Sequence, residues 1–535
     1  MPLGPALTAA LQATVVAGAR TADAIVVGAG ATGGLAARLL TEAGLRVLVL
    51  DAGLPRSSLR TLGRRLSHYA ARRLLGSSGP KVLNRLLSSP IGRNIIARRQ
   101  PIQSRCYAWP LAPWQFVDDV DCPYVTPPGH PFVWLRARQL GGRMVIPGHG
   151  RQYYRFSAGD FSPADGLSPI WPLQTGELDP WYSSVERRLA LAGMRDNVAW
   201  QPESELARVL KPTLAEAALQ RSIIARWPYA RPLLGRFAPP PDDLEAAART
   251  GRLRIRQGAI ARRVDVDRAG RVRGVTWIDQ QAHAEKSSDA PLVFLCASAL
   301  ESTRLLLLSG SQQSPGGLGA SSGVLGHYLM DHVRLRIEGN GSKQFSEPPD
   351  EDGRCLYLPR FDARNSTAPE QRRGFGVQVF QLPATDKRSY FVAVSFAEML
   401  PRPENRVTLD PKSRDAWGIP VLHINCSLGD PELTRAREQV TALRELAEVA
   451  GVTVTHIDEL PPPPGSANHE CGTARMGDDP KNSVLDPHNE CWEAQGLYVT
   501  DGACFPSQGC QNPTLTMLAL TARACDHAMR TAHGR

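Results

Sequence analysis

A glycine-rich motif that could bind a cofactor lies near the N-terminus. It is Gly28-Ala29-Gly30-Ala31-Thr32-Gly33, a G-x-G-x-x-G pattern. Gly28 permits a tight turn, Gly30 lets the backbone approach a pyrophosphate, and Gly33 lets a helix pack closely on the preceding strand. Free N–H groups and the dipole at the start of that helix favour an anion. Asp51 follows about 20 residues further on, where a carboxylate accepts hydrogen bonds from ribose hydroxyls. The pattern indicates a dinucleotide cofactor, but it does not separate FAD from NAD.

The sequence on either side of the glycine turn predicts two strands and a helix. Residues 24–27 and 47–50 are short apolar runs typical of buried strands, and residues 34–43 have helical periodicity. Gly44 is the expected end of that helix. Together these signals predict a β-α-β unit with the glycine turn between its first strand and its helix.

The rest of the chain alternates between strand-like and helical stretches. Residues 176–193 predict an amphipathic helix, and residues 243–308 predict strands followed by a buried strand running into a helix. Loops and amphipathic strands are expected over 311–460. The tetraproline at 461–464 is a predicted boundary, and a final helix is expected from Pro513 to about Met529.

Composition limits the class of protein. The chain has 535 residues, more than the ~250–300 at which single cores stop growing, so we expect two domains. No apolar run is long enough for a spanning helix. The ten cysteines form no C-x-x-C pair, which argues against a disulfide framework and favours a reducing cytoplasm. No metal-ligand spacing, nucleophile elbow or P-loop occurs in the sequence.

The charge balance raises the question of a partner. The formal net charge is +10, and the stretch from 52 to 117 contains no acidic residue. Basic and aromatic residues are not interleaved as in nucleic-acid-binding modules, so no nucleic acid is expected. We expect residues 56–105 to dock an electron-accepting protein or an anionic membrane surface. The alternative is a solvated helical face whose arginines pair with carboxylates of the other domain.

Several motifs along the chain resemble the glucose–methanol–choline (GMC) oxidoreductase family. They include LGGR at 140–143, WPLQTGELDPWYSSVE at 171–186, LCASALESTRLLL at 295–307, HECGTARMG at 469–477 and DGACFPSQGCQNPTLT at 501–516. The resemblance extends over nearly the whole chain. Its C-terminal block is most similar to the large subunits of the gluconate and glucoside 3-dehydrogenases.

This resemblance implies an α/β protein of the glucose-oxidase type, with a Rossmann-like FAD-binding domain and an inserted α+β substrate domain built on a mixed β-sheet. The FAD-binding domain would be discontinuous, comprising residues 22–150, 243–310 and 461–535. The substrate-binding domain would comprise residues 151–242 and 311–460. The expected cofactor contacts are Gly28, Gly30, Ala31, Thr32, Gly33, Asp51, Gly141, Gly142, Ala261, Asp501, Gly502, Asn512 and Pro513.

The resemblance also implies that His469 and Asn512 form the catalytic pair. Alcohol oxidation requires loss of the O–H proton and transfer of the carbinol hydrogen, as hydride, to flavin N5. An imidazole, with an unperturbed pKa of ~6.5, can take that proton near neutral pH. An amide can hold the alcohol oxygen without competing for the proton. We therefore expect an FAD-dependent dehydrogenase or oxidase acting on the CH–OH group of a sugar, polyol or other alcohol.

Some alternatives stay open in the sequence. The stretch RMVIPGHGR at 143–151 lacks the Trp-Gly found in many relatives, and His149 is either a covalent FAD attachment site or a loop histidine without that role. Redox-silent cyanohydrin lyases share the implied fold. The electron acceptor is oxygen, a quinone or a cytochrome. The other histidines, including His332, His130 and His488, are assigned no chemical role.

Overall fold

The fold was analysed in a computed structural model that describes residues 4–12, 22–55, 97–146, 151–195, 198, 202–310, 314–341, 353–361, 373–383 and 389–533. Its α-helices are α1 (Pro5–Gln12), α2 (Ala31–Glu42), α3 (Ala158–Phe161), α4 (Asp179–Leu189), α5 (Leu214–Arg226), α6 (Asp243–Arg249), α7 (Ala299–Leu308), α8 (Asp430–Val449) and α9 (Thr514–His533).

The strands fall into two large sheets and several small ones. They are β1 (Ala24–Val27), β2 (Val47–Asp51), β3 (Ala192–Gly193), β4 (Arg208–Val209), β5 (Leu233–Leu234), β6 (Leu253–Gln257), β7 (Ala259–Val266), β8 (Val272–Asp279), β9 (Ala284–Asp289), β10 (Leu292–Leu295), β11 (Val333–Asn340), β12 (Leu356–Phe361), β13 (Phe375–Pro383), β14 (Ser389–Ala397), β15 (Arg406–Arg414), β16 (Pro420–Asn425), β17 (Thr453–Ile457), β18 (Glu490–Cys491) and β19 (Ala494–Val499).

The first large sheet has the order β18-β19-β10-β1-β2-β6. Its five neighbouring strands from β19 to β6 are parallel, and only β18 runs antiparallel at the edge. Strands β1, β2 and β10 are buried along their whole length, as expected for a parallel sheet covered on both faces. Alternate residues of β1 therefore enter different cores: Val26 packs with α2 and α9, and Ile25 packs on the opposite face.

The second large sheet has the order β17-β11-β14-β13-β12-β5 and is antiparallel. Helix α8 covers one face, where Leu443 and Leu446 pack among residues such as Val377 and Val379 of β13. Because successive side chains of a strand point to opposite faces, Gln378 lies on the face away from α8. That second face meets the segment that carries Asn512, since the Gln378 amide reaches the Asn512 side chain.

The structure confirms several predicted elements and shifts their ends. The predicted β-α-β unit is present, but its helix begins at Ala31, so the last residues of the glycine motif belong to α2. Gly44 adopts a positive φ of 96° just beyond that helix, as its predicted end requires. The helix expected over 176–193 is confined to Asp179–Leu189, and the final helix runs on to His533.

The prediction of loops and strands over 311–460 was wrong at α8, a helix of 20 residues. Pro431 occupies its first turn, where a missing N–H costs nothing, and the Glu432 carboxylate accepts the N–H of Gly429. Apolar residues at helical spacing then face the second sheet. Local start signals and amphipathic spacing therefore override the strand-like character of the flanking sequence.

The strands of the parallel sheet all come from the segments 22–150, 243–310 and 461–535, and those of the second sheet from 151–242 and 311–460. The exact domain boundaries stay a prediction. All ten cysteines are free and buried. Among the residues that the structure describes, no helix has the length and apolarity needed to cross a bilayer.

Two adjacent glycines of α2 give a matched test of this packing. A Cβ added to Gly33 would lie 1.9 Å from the Gly28 carbonyl oxygen, whereas one added to Gly34 would make ordinary contacts at 3.6 and 3.8 Å. We expect Gly33→Ala to lower the free energy of unfolding by about 1–3 kcal/mol, since the turn must move. Gly34→Ala should leave it unchanged or raise it by about 0.5–1 kcal/mol, since alanine favours helix. Thermal denaturation of both variants checks this, and equal shifts would contradict the packing argument.

Candidate active site

The glycine turn joins β1 to α2 and is held by backbone contacts. The N–H of Gly28 donates to the Leu50 carbonyl at 2.8 Å, and Gly28 has a φ of 95° that favours glycine. Asp51 receives the N–H of Ala29 at 3.1 Å on one carboxylate oxygen and the N–H of Gly53 at 2.8 Å on the other. The Asp51 carboxylate therefore braces the turn from the end of β2, and each oxygen keeps a lone pair for a further donor.

Gly30 is the open position of this turn. A Cβ built on it would have no atom within 4 Å, unlike the crowded Gly28 and Gly33. The space beside Gly30 lies at the N-terminus of α2, where the first N–H groups of a helix have no partner within it. A negatively charged pyrophosphate suits such a place. The residues present therefore fit the diphosphate of a dinucleotide.

The Gly141-Gly142 pair packs directly on the glycine turn. The N–H of Gly141 donates to the Ala29 carbonyl at 2.8 Å, and both glycines have positive φ angles, 83° and 55°. A Cβ on Gly142 would lie 3.0 Å from the Gly30 Cα. Only a residue without a side chain lets these two segments approach so closely.

A cavity of about 240 Å³ extends from the glycine turn to His469 and Asn512. The expected site residues on its wall are Gly28, Gly30, Ala31, Thr32, Asp51, Gly142, Ala261, His469, Asp501, Gly502, Asn512 and Pro513. Gly141 lines an adjoining cavity of about 800 Å³ that shares Gly30 and Ala31, and Gly33 is packed against Gly28. The structure thus brings residues from distant parts of the sequence to one space.

The C-terminal part of the cavity wall is built from two segments that run side by side. The N–H of Gly472 donates to the Gly502 carbonyl at 2.9 Å, and that of Ala474 to the Ala503 carbonyl at 2.8 Å. A Cβ on Gly502 would lie 2.4 Å from the Glu470 carbonyl oxygen, so glycine is needed for this approach. The neighbouring Asp501 accepts the Ser302 hydroxyl at 2.5 Å, and burial raises the pKa of its carboxyl to about 6.

The imidazole of His469 and the amide of Asn512 are in direct contact. The distance from His469 Nε2 to Asn512 Nδ2 is 3.2 Å. On its other side, Asn512 Oδ1 accepts the Gln378 amide N–H at 2.6 Å. His469 Nδ1 lies 2.7 Å from His332 Nδ1, and the Phe396 ring packs 5.3 Å from the His469 ring. Buried side chains therefore contact both catalytic candidates: Gln378 contacts Asn512, and His332 and Phe396 contact His469.

The backbone that carries His469 is fixed by the carboxylate of Asp331. This carboxylate accepts three backbone N–H groups, from Gly465 at 2.7 Å, Ala467 at 3.1 Å and His469 at 2.9 Å. Asp331 is only 1% exposed, and burial, together with the nearby charge of Glu470, raises the pKa of its carboxyl to about 6. Because one carboxylate binds three backbone N–H groups of residues 465–469, it fixes the position of the His469 Cα atom.

Sequence reasoning missed Asp331, His332 and Gln378. Asp331 and His332 are adjacent in LMDHV, just before β11, and a pair of titratable residues after an apolar run was a usable signal. Gln378 gave no signal, since a lone glutamine in a strand pattern is usual. His149 and residues 56–96 of the basic stretch lie outside the described residues. Within the described part of the chain, no group of three or more potential ligands could hold a metal ion.

The fold and the cavity define an α/β enzyme in which a parallel sheet, whose glycine turn fits a dinucleotide, and a second, antiparallel sheet contribute to one site. Comparison with known proteins shows which enzymes this chain resembles. Residues 401–521 match the sequence profile described as GMC oxidoreductase. Over 453 residues the chain is 28% identical to the 2-methyl-1,2-propanediol dehydrogenase of Mycolicibacterium austroafricanum, covering 73% of this chain and 80% of that protein.

Two further similarities extend over almost the whole chain. The fructose dehydrogenase large subunit of Gluconobacter japonicus is 24% identical over 568 residues, with 95% of this chain and 97% of that protein covered. A formate oxidase variant from Aspergillus oryzae RIB40 superposes with a TM-score of 0.64 at 15% identity, covering 96% of this chain and 99% of that one. Residues 401–521 therefore carry the C-terminal domain of a GMC oxidoreductase, and the similar proteins are named as dehydrogenases and oxidases. These findings give no support to a lyase.

Gly30 provides a test of the cofactor cradle that separates binding from folding. Since a Cβ at Gly30 meets no protein atom, Gly30→Ala should leave the denaturation temperature of the cofactor-free protein nearly unchanged. The added methyl would occupy the space where the pyrophosphate approaches, so we expect the flavin content after purification to fall at least about tenfold. Absorbance at the flavin band relative to protein measures this. A variant that keeps full flavin content would place the diphosphate elsewhere.

Proposed function

We propose that the protein uses FAD to oxidise the CH–OH group of an alcohol, polyol or sugar. The observation that carries the proposal is the contact between His469 and Asn512 on the wall of the cavity that begins at the glycine turn. A base and an oxygen-orienting amide thus share one space with the residues that fit a dinucleotide. The match of residues 401–521 to GMC oxidoreductase and the similarity to a diol dehydrogenase support the same reaction class.

The protein's part in the reaction begins with a proton. His469 Nε2 faces the cavity and Asn512, so it is the nitrogen that would receive the proton of the substrate hydroxyl. The N–H of Asn512 would hold the alcohol oxygen at this nitrogen without competing for its proton. As the O–H bond breaks, the growing negative charge on oxygen is met by the protonated imidazole and the amide N–H.

FAD would be held by the open position at Gly30, the N-terminus of α2, Asp51 and Gly142, with Asp501 and Pro513 further along the wall. When bound, it supplies the two-electron acceptor for the carbinol hydride. A covalent link through His149 remains a prediction of the sequence.

Residues 56–105 are the expected docking surface for the electron acceptor, or for an anionic membrane. Most of them lie outside the described residues, so this expectation rests on the acid-free sequence alone. One similar protein is named as a large subunit, which is compatible with a partner that takes the electrons. Reversing Arg64, Arg65, Arg72 and Arg73 to Glu should cause a salt-sensitive loss with the natural acceptor and little change with a neutral dye. Equal losses with both would leave a structural role only.

The direct experiment is an anaerobic screen of sugars, polyols and aliphatic alcohols, with flavin absorbance as the readout. Bleaching by an alcohol identifies the substrate class, and subsequent addition of oxygen or a dye identifies the acceptor. A flavin that stays oxidised with every alcohol while the protein cleaves a substrate would exclude the oxidation and favour a redox-silent enzyme.

The roles of the pair predict unequal effects of mutation. His469→Ala should lower the rate of flavin reduction by about 10²–10⁴, since the base is lost, while the FAD content stays unchanged. Asn512→Ala should lower it by about 10- to 100-fold, since one hydrogen bond to a partly charged oxygen is lost. Anaerobic stopped-flow measurements give both rates, and His456→Ala, on the exposed strand β17, is the matched control. Full activity of His469→Ala would refute the assignment of the base.

A further inference from the structure

A chain of hydrogen bonds includes His469 and Asn512 and ends at a backbone carbonyl. His332 Nε2 lies 2.7 Å from the Gly509 carbonyl oxygen, and His332 Nδ1 lies 2.7 Å from His469 Nδ1. Continuing outward, His469 Nε2 faces Asn512 Nδ2 at 3.2 Å, and Asn512 Oδ1 faces Gln378 Nε2 at 2.6 Å. His332 is 4% exposed and Gln378 is 3% exposed, so water does not compete at these positions.

The carbonyl end fixes the direction of the first hydrogen bonds. A backbone carbonyl can only accept, so His332 Nε2 must carry the proton and donate to Gly509. Burial lowers the pKa of His332 to about 4, which keeps the ring neutral near neutral pH. A neutral imidazole with a protonated Nε2 has a bare Nδ1, and this nitrogen can only accept.

The acceptor role of His332 Nδ1 determines which nitrogen of His469 carries the hydrogen. Because His332 Nδ1 accepts, the hydrogen of this contact belongs to His469 Nδ1. Neutral His469 consequently has a bare Nε2, with its lone pair on the side of the cavity and of Asn512. This is the nitrogen that a proton-accepting role requires.

At the other end of the chain, Gln378 contacts Asn512. Its amide N–H is directed at Asn512 Oδ1, which leaves the Asn512 NH₂ group facing His469 Nε2. A flipped Asn512 would bring its carbonyl against the bare nitrogen and its NH₂ against the NH₂ of Gln378. The contact with His469 would then have no hydrogen, so the direction set at the Gly509 carbonyl also assigns the NH₂ group of Asn512 to His469 and its Oδ1 to Gln378.

We propose that His332 and Gln378 are positioning residues that fix the hydrogen-bond polarity of the pair, so that His469 presents a lone pair and Asn512 presents an N–H to the alcohol oxygen. This inference rests on the proposed function, in which His469 is the base. After proton transfer, the His469 ring keeps its Nδ1–H bond to His332. The chain ends at a carbonyl that cannot take a proton, so it orients the base and does not conduct the proton away.

The test uses an acidic and an apolar replacement at each of the two positions. His332→Asp retains an acceptor for His469 Nδ1–H, whereas His332→Leu removes it. Gln378→Glu, ionised at about pH 9, offers Asn512 only an acceptor and so reverses the polarity, whereas Gln378→Leu removes the contact without reversing it. We expect flavin to be reduced faster in His332→Asp than in His332→Leu. At position 378, reduction in Gln378→Leu should be at least as fast as in Gln378→Glu.

The measured quantities are the flavin-reduction rate at saturating substrate and the half-saturation concentration. His332→Leu and Gln378→Glu should lose about 10²–10⁴ in rate, with a smaller change in half-saturation, since a wrong tautomer or donor affects the reacting state. If the two residues serve only in packing, the buried acidic replacement should reduce flavin more slowly than leucine at both positions. Because the proposal expects the same order at position 378, position 332 decides between the two: slower flavin reduction in His332→Asp than in His332→Leu would overturn the proposal.

A spectroscopic readout keeps the inference testable where a variant folds poorly. In enzyme with nitrogen-15-labelled histidine, the His469 signals, assigned by their absence in His469→Ala, should show a protonated Nδ1 and a bare Nε2. His332→Leu should abolish this preference. An unchanged tautomer and rate in His332→Leu would refute the inference while leaving the proposed function standing. Full activity of His469→Ala would instead refute the proposed function itself.

Discussion

The site depends on the buried carboxylate of Asp331. Burying a carboxylate is costly unless it receives hydrogen bonds, and here three backbone N–H groups of the 465–469 turn provide them. The same interaction organises that turn, because the N–H groups of three alternate residues converge on one side chain. Since Asp331 immediately precedes His332, the residue that fixes the His469 backbone also carries the residue that contacts its ring.

The remaining parts of the site follow from how two sheets meet. The parallel sheet places the glycine turn and the 501–504 segment at one side of the cavity, because β1, β10 and β19 are neighbours in it. The antiparallel sheet contributes Gln378 from β13 and Phe396 from β14, which are on the face not covered by α8. An imidazole held by contacts from both sheets loses little orientational freedom when a ligand binds, and such positioning is one source of catalytic rate in enzymes.

The sequence was most informative where the signal was local. The turn from Gly28 to Gly33 could be predicted because its residue types, spacing and flanking strands lie within one β-α-β unit. The positions of His469 and Asn512 followed only from the family resemblance, since a lone histidine or asparagine carries no pattern of its own. Asp331, His332 and Gln378 act through contacts across more than 100 residues, which periodicity cannot reveal. Helix α8 was missed because strand-like sequence surrounds it, although its own start signals were present.

The central claim is that His469 removes the hydroxyl proton as the carbinol hydrogen leaves. The most direct test is anaerobic flavin reduction by an alcohol found to be a substrate, prepared with hydrogen or deuterium on its carbinol carbon. Deuterium should slow reduction in the native enzyme, and His469→Ala, with its FAD still bound, should be reduced at least about 100-fold more slowly. Reduction that is indifferent to both the isotope and the loss of His469 would contradict it.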